Sequence, residues 1–350
     1  MNLNTFVYNK YSTIKYKGEM NVDRDLALSL VRVTEIAALA SGRYMGRGDE
    51  MGADQAAVDG MRAAFNLVNT KGRVVIGEGE LDEAPMLYIG EEIGKGMDIQ
   101  ADIAVDPLDG TTLVAKGLPN AISVIAMAPK GCLLNAPDTY MKKIAVGPKS
   151  AGKIHIDAPI KENLKAVAKA LNKNISDLTV IIQDRERHQG IIEEVRNAGA
   201  RIKLFGEGDV AAAIATAFPD TGVDILIGIG GAPEGVIAAS ALKCMGGDFQ
   251  GKLCPMSESE KTRCEKMGWT EDRRSQVLTM DDLAKGNDIF FAATGISDGD
   301  LLKGVIYYGD NLAKTHSVVM RSKTGTIRFV EARHRLDKND ILKNLLKKHR

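Results

Sequence analysis

The sequence predicts an α/β protein built as two α/β layers. Three observations carry that expectation: a leading pair of amphipathic helices, a long middle in which short β-type runs alternate with helical ones, and a β-rich end. From about residue 160 the alternation is strict, which argues a parallel or mixed sheet covered on both faces. At 350 residues the chain can form a large core and, on length alone, two domains.

In chain order, "DRDLALSLVRVTEIAALASGRYMG" repeats apolar residues at helical spacing, with Asp23 as N-cap and the Gly46 to Gly48 region as a stop. "ADQAAVDGMRAAFNLVN" is a second helix. The expected strands are "RVVIG", "ADIAV", "AISVIAMA", "LTVIIQD", "ARIKLFG", "VDILIGIGG" and "DIFFAATG". Helices are expected in "IKENLKAVAKALN", "HQGIIEEVRNAGA", "GDVAAAIATAF" and "PEGVIAASALKCMGG". "GVIYYG", "THSVVMRS" and "GTIRFVEARH" read as paired strands. The expected divisions are a disordered extension or upstream start over residues 1–19, α/β domains over 20–160 and 161–336 joined near "GKIHIDAPIKEN", and a basic helix over 337–350.

Lys plus Arg number 46 and Asp plus Glu 46, so no net charge favours nucleic acid or an anionic membrane. No stretch approaches the ~20 apolar residues of a membrane span. The four cysteines are scattered without a CxxC, which suggests neither a disulfide framework nor a zinc site and fits a reducing cytoplasm. The N-terminus has no apolar core of the kind a secretory signal needs.

Chemistry concentrates in four glycine-rich segments that carry acids. They are "RGDEMGAD" with Asp49, Glu50 and Asp54, "IGEGELDEA" with Glu78, Glu80, Asp82 and Glu83, "DPLDG" with Asp106 and Asp109, and "GGAPEG" with Glu234. Ligands of α/β sheets collect beyond the carboxyl ends of strands, where the last three segments fall. Like charges need a counter-charge. With five histidines, none paired at helical spacing, a carboxylate cage selects Mg²⁺ or Mn²⁺ over zinc.

Gly110-Thr111-Thr112 then reads as an anion cradle, where backbone N–H groups bind phosphate oxygens and a threonine hydroxyl orients water. Arg185 and Arg187 in "QDRERH" suit a second phosphate through forked donors. Other motifs point elsewhere less well. "GISDG" matches GxSxG, but the stretch before Gly304 is too short for a nucleophile helix and no oxyanion loop is present. "GIGGAPEG" has proline at the last glycine of a dinucleotide fingerprint. The methionines and Trp269 read as packing residues.

Together "GRGDEMGAD", "VIGEGELDEAPMLYIGE", "DIAVDPLDGTTL", "KGCLLNAPDTYM", "GIGGAPEGV" and "FFAATGISDGDLLKGV" resemble the bacterial class II fructose-1,6-bisphosphatases from about residue 20 to 336. The resemblance implies a layered αβαβα sugar-phosphatase fold like that of inositol monophosphatases. It also implies two or more Mg²⁺ or Mn²⁺ ions per site and hydrolysis of the 1-phosphate of fructose 1,6-bisphosphate in gluconeogenesis. The metal ligands would be Asp54, Glu78, Asp106, Asp109 and Glu234. Substrate contacts would come from Asp109, Gly110, Thr111, Tyr140, Arg185, Glu186, Arg187, Glu207, Gly208, Asp209 and Gly231. Thr111 would orient the attacking water and Asp82 would relay its proton. The first domain would then bind metal and the second sugar and phosphate, in a cytoplasmic homo-oligomer without nucleic-acid or membrane partners.

Three positions depart from the family's common pattern: Asp109 where glutamate is common, Glu186 where proline is expected between two basic residues, and Glu207 where aspartate is commoner. Sedoheptulose 1,7-bisphosphate, an inositol-monophosphatase-like activity needing one phosphate site, and a non-catalytic phosphometabolite or cation sensor remain open as alternatives.

Overall fold

The structure is a computed structural model and describes residues 25–79, 86–96 and 98–348. The expected extension over 1–19, the expected cap Asp23, and Glu80, Asp82 and Glu83 lie outside the described residues. Among the described residues the chain forms two sheets. The larger orders β11 (Ile306–Tyr307), β12 (Leu312–Arg321), β10 (Phe290–Gly295), β4 (Ile122–Pro129), β3 (Ala101–Asp109), β1 (Gly72–Ile76) and β2 (Glu92–Ile93), with β13 (Thr326–Arg335) paired to β12. The smaller orders β7 (Arg201–Phe205), β6 (Thr179–Gln183), β8 (Ile225–Gly231), β5 (Tyr140–Val146) and β9 (Asp248–Leu253). Both are mixed: β1 runs parallel to β3, and β6 runs parallel to β7 and β8, while β5 is antiparallel to β8 and β9.

Strand periodicity sorts the apolar side chains into three cores. Successive residues of a strand point to opposite faces. One face of the larger sheet gives Ile103, Val105, Ile125 and Phe290 to α1 (Leu26–Ser41) and α2 (Glu50–Phe65), where they meet Leu30, Met61 and Phe65. The other face gives Val124, Ala126, Phe291 and Val318 to a central layer that includes α6 (Asp209–Ala215) and α7 (Ala232–Met245). Met141, Ala145 and Leu226 of the smaller sheet close that layer from its far side. Ile144, Val180, Ile182 and Ile225 then pack beneath α4 (Ile160–Leu171) and α5 (Gln189–Ala198). The layers run αβαβα. Because β4 is covered on both faces, all eight of its residues are buried, which accounts for its unbroken apolar run.

Besides the two-residue β2, two strands lie where the sequence reading had none. β5 reads YMKKIAV, and its lysines interrupt the apolar pattern. β9 reads DFQGKL, where only every second residue is buried. Both sit in the smaller sheet, whereas β10, β12 and β13 belong to the larger one. Sheet membership therefore does not follow the expected cut between residues 160 and 161, since the chain crosses between the sheets more than once. The second helix also starts earlier than expected, at Glu50, because the Asp49 side chain accepts a hydrogen bond from the Gly52 N–H at 2.8 Å.

The serine of "GISDG" is structural. Ser297 is buried and its Oγ accepts a hydrogen bond from the Ala121 N–H at 2.9 Å. Downstream, His316 Nδ1 accepts from the Lys303 N–H at 3.1 Å. Among the described residues no helix is long and apolar enough to cross a membrane.

Phe291 is fully buried in the central core. Phe291→Ala should lower the unfolding free energy by about 3–5 kcal/mol, measured by chemical denaturation.

Candidate active site

Two acidic tips, one from each sheet, face each other across a cleft. β3 ends at Asp109; Gly110 then takes a left-handed conformation, φ 102°, and α3 (Thr111–Lys116) begins. On the other side Glu207 is followed by Gly208, φ 94°, and α6. A residue with a Cβ is strained at such φ values, so glycine lets each strand end turn sharply into a helix. The two tips cap each other. Asp109 Oδ2 accepts from the Val210 N–H in the first turn of α6, and Glu207 Oε2 accepts from the Thr112 N–H in the first turn of α3, both at 3.2 Å. Carboxylates at helix N-termini are stabilised by the helix dipole, and here they also tie the two sheets together. One N–H of the expected anion cradle is thus already bonded to a carboxylate.

The cleft between the tips has a volume of about 470 Å³. It brings together Asp106, Asp109, Gly110, Thr111, Tyr140, Arg185, Arg187, Glu207, Gly208, Asp209, Gly231 and Glu234, which come from both sheets and from positions 128 residues apart at the extremes, 106 and 234. Asp54 and Glu78 are not among its lining groups, but their charges act on the cluster, as described below. Glu186 lies exposed on the turn Glu186–His188 and does not line the cleft. Asp82 lies outside the described residues.

The arginines are held differently. Arg187 donates from Nε and Nη2 to the Ile229 carbonyl at 3.0 and 2.9 Å, and from Nη2 to Gln183 Oε1 at 2.6 Å. Its guanidinium also stacks 4.8 Å above the Tyr140 ring, so the fork is fixed with Nη1 left to reach a ligand. Arg185 is more exposed and pairs with Glu207 at 3.5 Å. Such a solvent-exposed pair contributes only ~0–1 kcal/mol, leaving Arg185 available to a stronger anion.

Some groups escaped the sequence reading. Glu260 accepts from the Thr139 hydroxyl at 2.8 Å and from the Tyr140 N–H at 3.4 Å, which anchors the tyrosine. Arg263 reaches the cleft and pairs with Asp138 at 2.6 Å. Lys143 is buried and its Nζ lies 2.6 Å from Asp209 Oδ2. The signal for Lys143 was present: it alternates with the apolar Met141 and Ala145 on one face of its strand.

The acids crowd one another. Burial, then the charges of Asp54 and Glu234, push Glu78 up to about 8. Asp106 is raised well above the usual carboxylate range by burial and by Asp109, Glu78 and Glu234, although the Leu108 N–H bonds its Oδ1 at 3.1 Å. Burial, Asp209 and Glu234 push Asp109 up to about 8, with Lys143 acting the other way. Burial also raises Glu234 and Asp54. Glu234 Oε2 is buried without a hydrogen-bond partner.

A group of carboxylates held this way fits a divalent cation. The acidic donors are all hard oxygens, no histidine or cysteine lines the cleft, and Glu234 presents an orphaned oxygen, all of which suit Mg²⁺ or Mn²⁺. Among the described residues no three of these acids are already drawn into a closed cation cage, so the cluster is one of mutually repelling neighbours.

Residues 24–334 match the family model described as bacterial fructose-1,6-bisphosphatase, glpX-encoded. The chain belongs to this family. It is 46% identical over 338 residues to the D-fructose 1,6-bisphosphatase class 2/sedoheptulose 1,7-bisphosphatase of Synechococcus sp. (strain JA-2-3B'a(2-13)), covering 90% of this chain and 97% of that protein. It is also 46% identical over 330 residues to fructose-1,6-bisphosphatase 1 class 2 of Escherichia coli (strain K12), covering 91% and 97%. Among solved structures, the extragenic suppressor protein suhB of Bartonella henselae aligns at 16% identity over 56% of this chain and 74% of that chain, with a TM-score of 0.33.

The raised acids set a pH dependence. A folded pKa above the unfolded one means the fold keeps protons the unfolded chain has released, so stability is lost as pH rises from 4.5 toward about 8. In chelator-treated protein the thermal midpoint should fall across that window. Glu78→Gln should make the fall shallower, as read by melting curves of both proteins at matched pH.

Proposed function

We propose that the protein hydrolyses the 1-phosphate of fructose 1,6-bisphosphate to give fructose 6-phosphate and phosphate, with gluconeogenesis as its setting in carbohydrate metabolism. What supports this reading is one combination: membership of the family over residues 24–334, in a cleft that joins an acidic cluster to a threonine and two arginines. Two charged regions, one acidic and one basic, suit a substrate with two phosphates better than a monophosphate.

In this reading Asp54, Glu78, Asp106, Asp109 and Glu234 hold the metal. Bound Mg²⁺ or Mn²⁺, two or more ions per site, supplies polarisation of the phosphoryl oxygens and a lowered pKa for water. The chain's own groups do the rest. The Thr111 hydroxyl, at the first residue of α3, orients the water for in-line attack, and Asp82 takes its proton. Arg185 and Arg187 bind the distal phosphate, and because Arg187 is already fixed by Ile229, Gln183 and Tyr140, little side-chain freedom is lost on binding. Tyr140, Glu207, Asp209 and the Gly231 backbone line the space for the sugar. A Cβ at Gly231 would collide with Glu234 Oε2, so a side chain there would displace a metal ligand.

The Synechococcus relative carries a second name, which favours sedoheptulose 1,7-bisphosphate as a further substrate. Phosphate release from fructose 1,6-bisphosphate, sedoheptulose 1,7-bisphosphate and inositol monophosphate, each with Mg²⁺, Mn²⁺ or chelator, tests both readings. Release from the fructose substrate should require the cation. Its absence under every metal condition would leave the sensor reading in place.

Asp106→Ala should reduce turnover by more than about 100-fold, beyond the 10–100-fold typical of losing an outer support of a metal ligand. Arg187→Gln should reduce kcat/KM for the bisphosphate by about 10–100-fold, the loss of one charge-assisted hydrogen bond, and leave monophosphate hydrolysis much less affected. Steady-state phosphate release measures both.

A further inference from the structure

Lys143 has no role among the metal ligands or phosphate contacts. It lies within β5, and its side chain is 3% exposed. Its cross-strand neighbours are Gly228 on β8 and Gly251 on β9, and its Cε lies 3.5 Å from where a Cβ at Gly235 would stand. The missing side chain at Gly235 thus leaves room for the lysine stem in the central core, and the stem ends where Nζ meets Asp209 Oδ2 at 2.6 Å.

Asp209 is held from a second direction. A Cβ at Gly230 would collide with its Oδ2 and stand only 3.0 Å from its Oδ1. The carboxylate therefore rests against bare backbone on one side and an ammonium on the other. Its side chain remains 14% exposed, and it lines the cleft. A buried ammonium is unfavourable unless paired, so the Nζ contact fixes the direction in which the Asp209 carboxylate faces.

We propose that Lys143 is a positioning residue that holds Asp209 oriented as an acceptor for a substrate hydroxyl, so that the Lys143–Asp209 pair selects polyol phosphates over phosphate esters without a hydroxyl at that place. The inference deepens the bisphosphatase reading and rests on it. A buried acceptor with one fixed direction discriminates strongly because a substrate lacking the hydroxyl leaves it unpaired. Lys143 itself need not touch the substrate.

The test compares wild type, Lys143→Met, Asp209→Asn and the double variant, all loaded with Mn²⁺, on fructose 1,6-bisphosphate and on p-nitrophenyl phosphate, an ester with no sugar hydroxyl. Failure of the wild type to hydrolyse the bisphosphate would sink the functional reading itself, whatever the variants do. Given wild-type turnover, Lys143→Met should lower the ratio of kcat/KM for the bisphosphate to that for the aryl ester by about tenfold or more, the loss expected for a hydrogen bond to a charged group. In the Asp209→Asn background the lysine change should have little further effect on that ratio. An unchanged ratio in Lys143→Met, or a full second loss in the double variant, overturns the proposal. Should Lys143→Met fail to fold, the double variant, which leaves no unpaired buried charge, supplies the comparison with Asp209→Asn alone.

Discussion

Mutual repulsion among buried carboxylates is the constraint on which the rest of this structure depends. Two like unit charges 4 Å apart cost ~4 kcal/mol at an effective dielectric of about 20. Here Asp109, Glu78 and Glu234 all act on Asp106, and Glu234 acts on Glu78 and Asp109 as well. Such a cluster persists only if the scaffold is stiff enough to hold it and if counter-charge is at hand. The stiffness comes from three apolar cores stacked in five layers. Lys143 supplies part of that counter-charge, acting on Asp109 and Glu234, and the remaining need is what makes the cleft suited to divalent cations.

The crossed caps between Asp109 and Glu207 show how the fold economises. Each acid follows a strand, precedes a left-handed glycine, and satisfies the helix that begins on the opposite tip. One pair of side chains therefore ends two strands, starts two helices and closes the cleft between the sheets. Glu207 also pairs with Arg185, and its long arm reaches across to the Thr112 N–H. Asp109, with its shorter arm, completes the other half of the exchange.

Arginines of one short segment fall into different states because of their neighbours. Arg187 is locked by a carbonyl, a glutamine and a ring, while Arg185 stays half in solvent. Glu186 between them turns outward and does not enter the cleft. A residue that looks disruptive in sequence is harmless when the backbone turn points it away.

Much of this was legible in the sequence because period-2 and period-3.6 patterns report burial directly: β4 and β6 read as apolar runs, and α4 and α5 as amphipathic ones. The acids and the glycines beside Asp109 and Glu207 were equally visible, since turn chemistry is local. By itself the sequence determined the alternating α/β class, the motifs of the family and the residue types of the site. Tertiary structure alone decided that Tyr140–Val146 joins the smaller sheet while Phe290–Arg335 returns to the larger, because strand pairing depends on distant partners. It alone decided, too, that Asp49 caps a helix while Asp54 adds its charge to the cluster, and that Lys143 lies beneath Asp209. Local pattern shows that a side chain is inside, but the charge it meets there is set by chain segments far away in sequence.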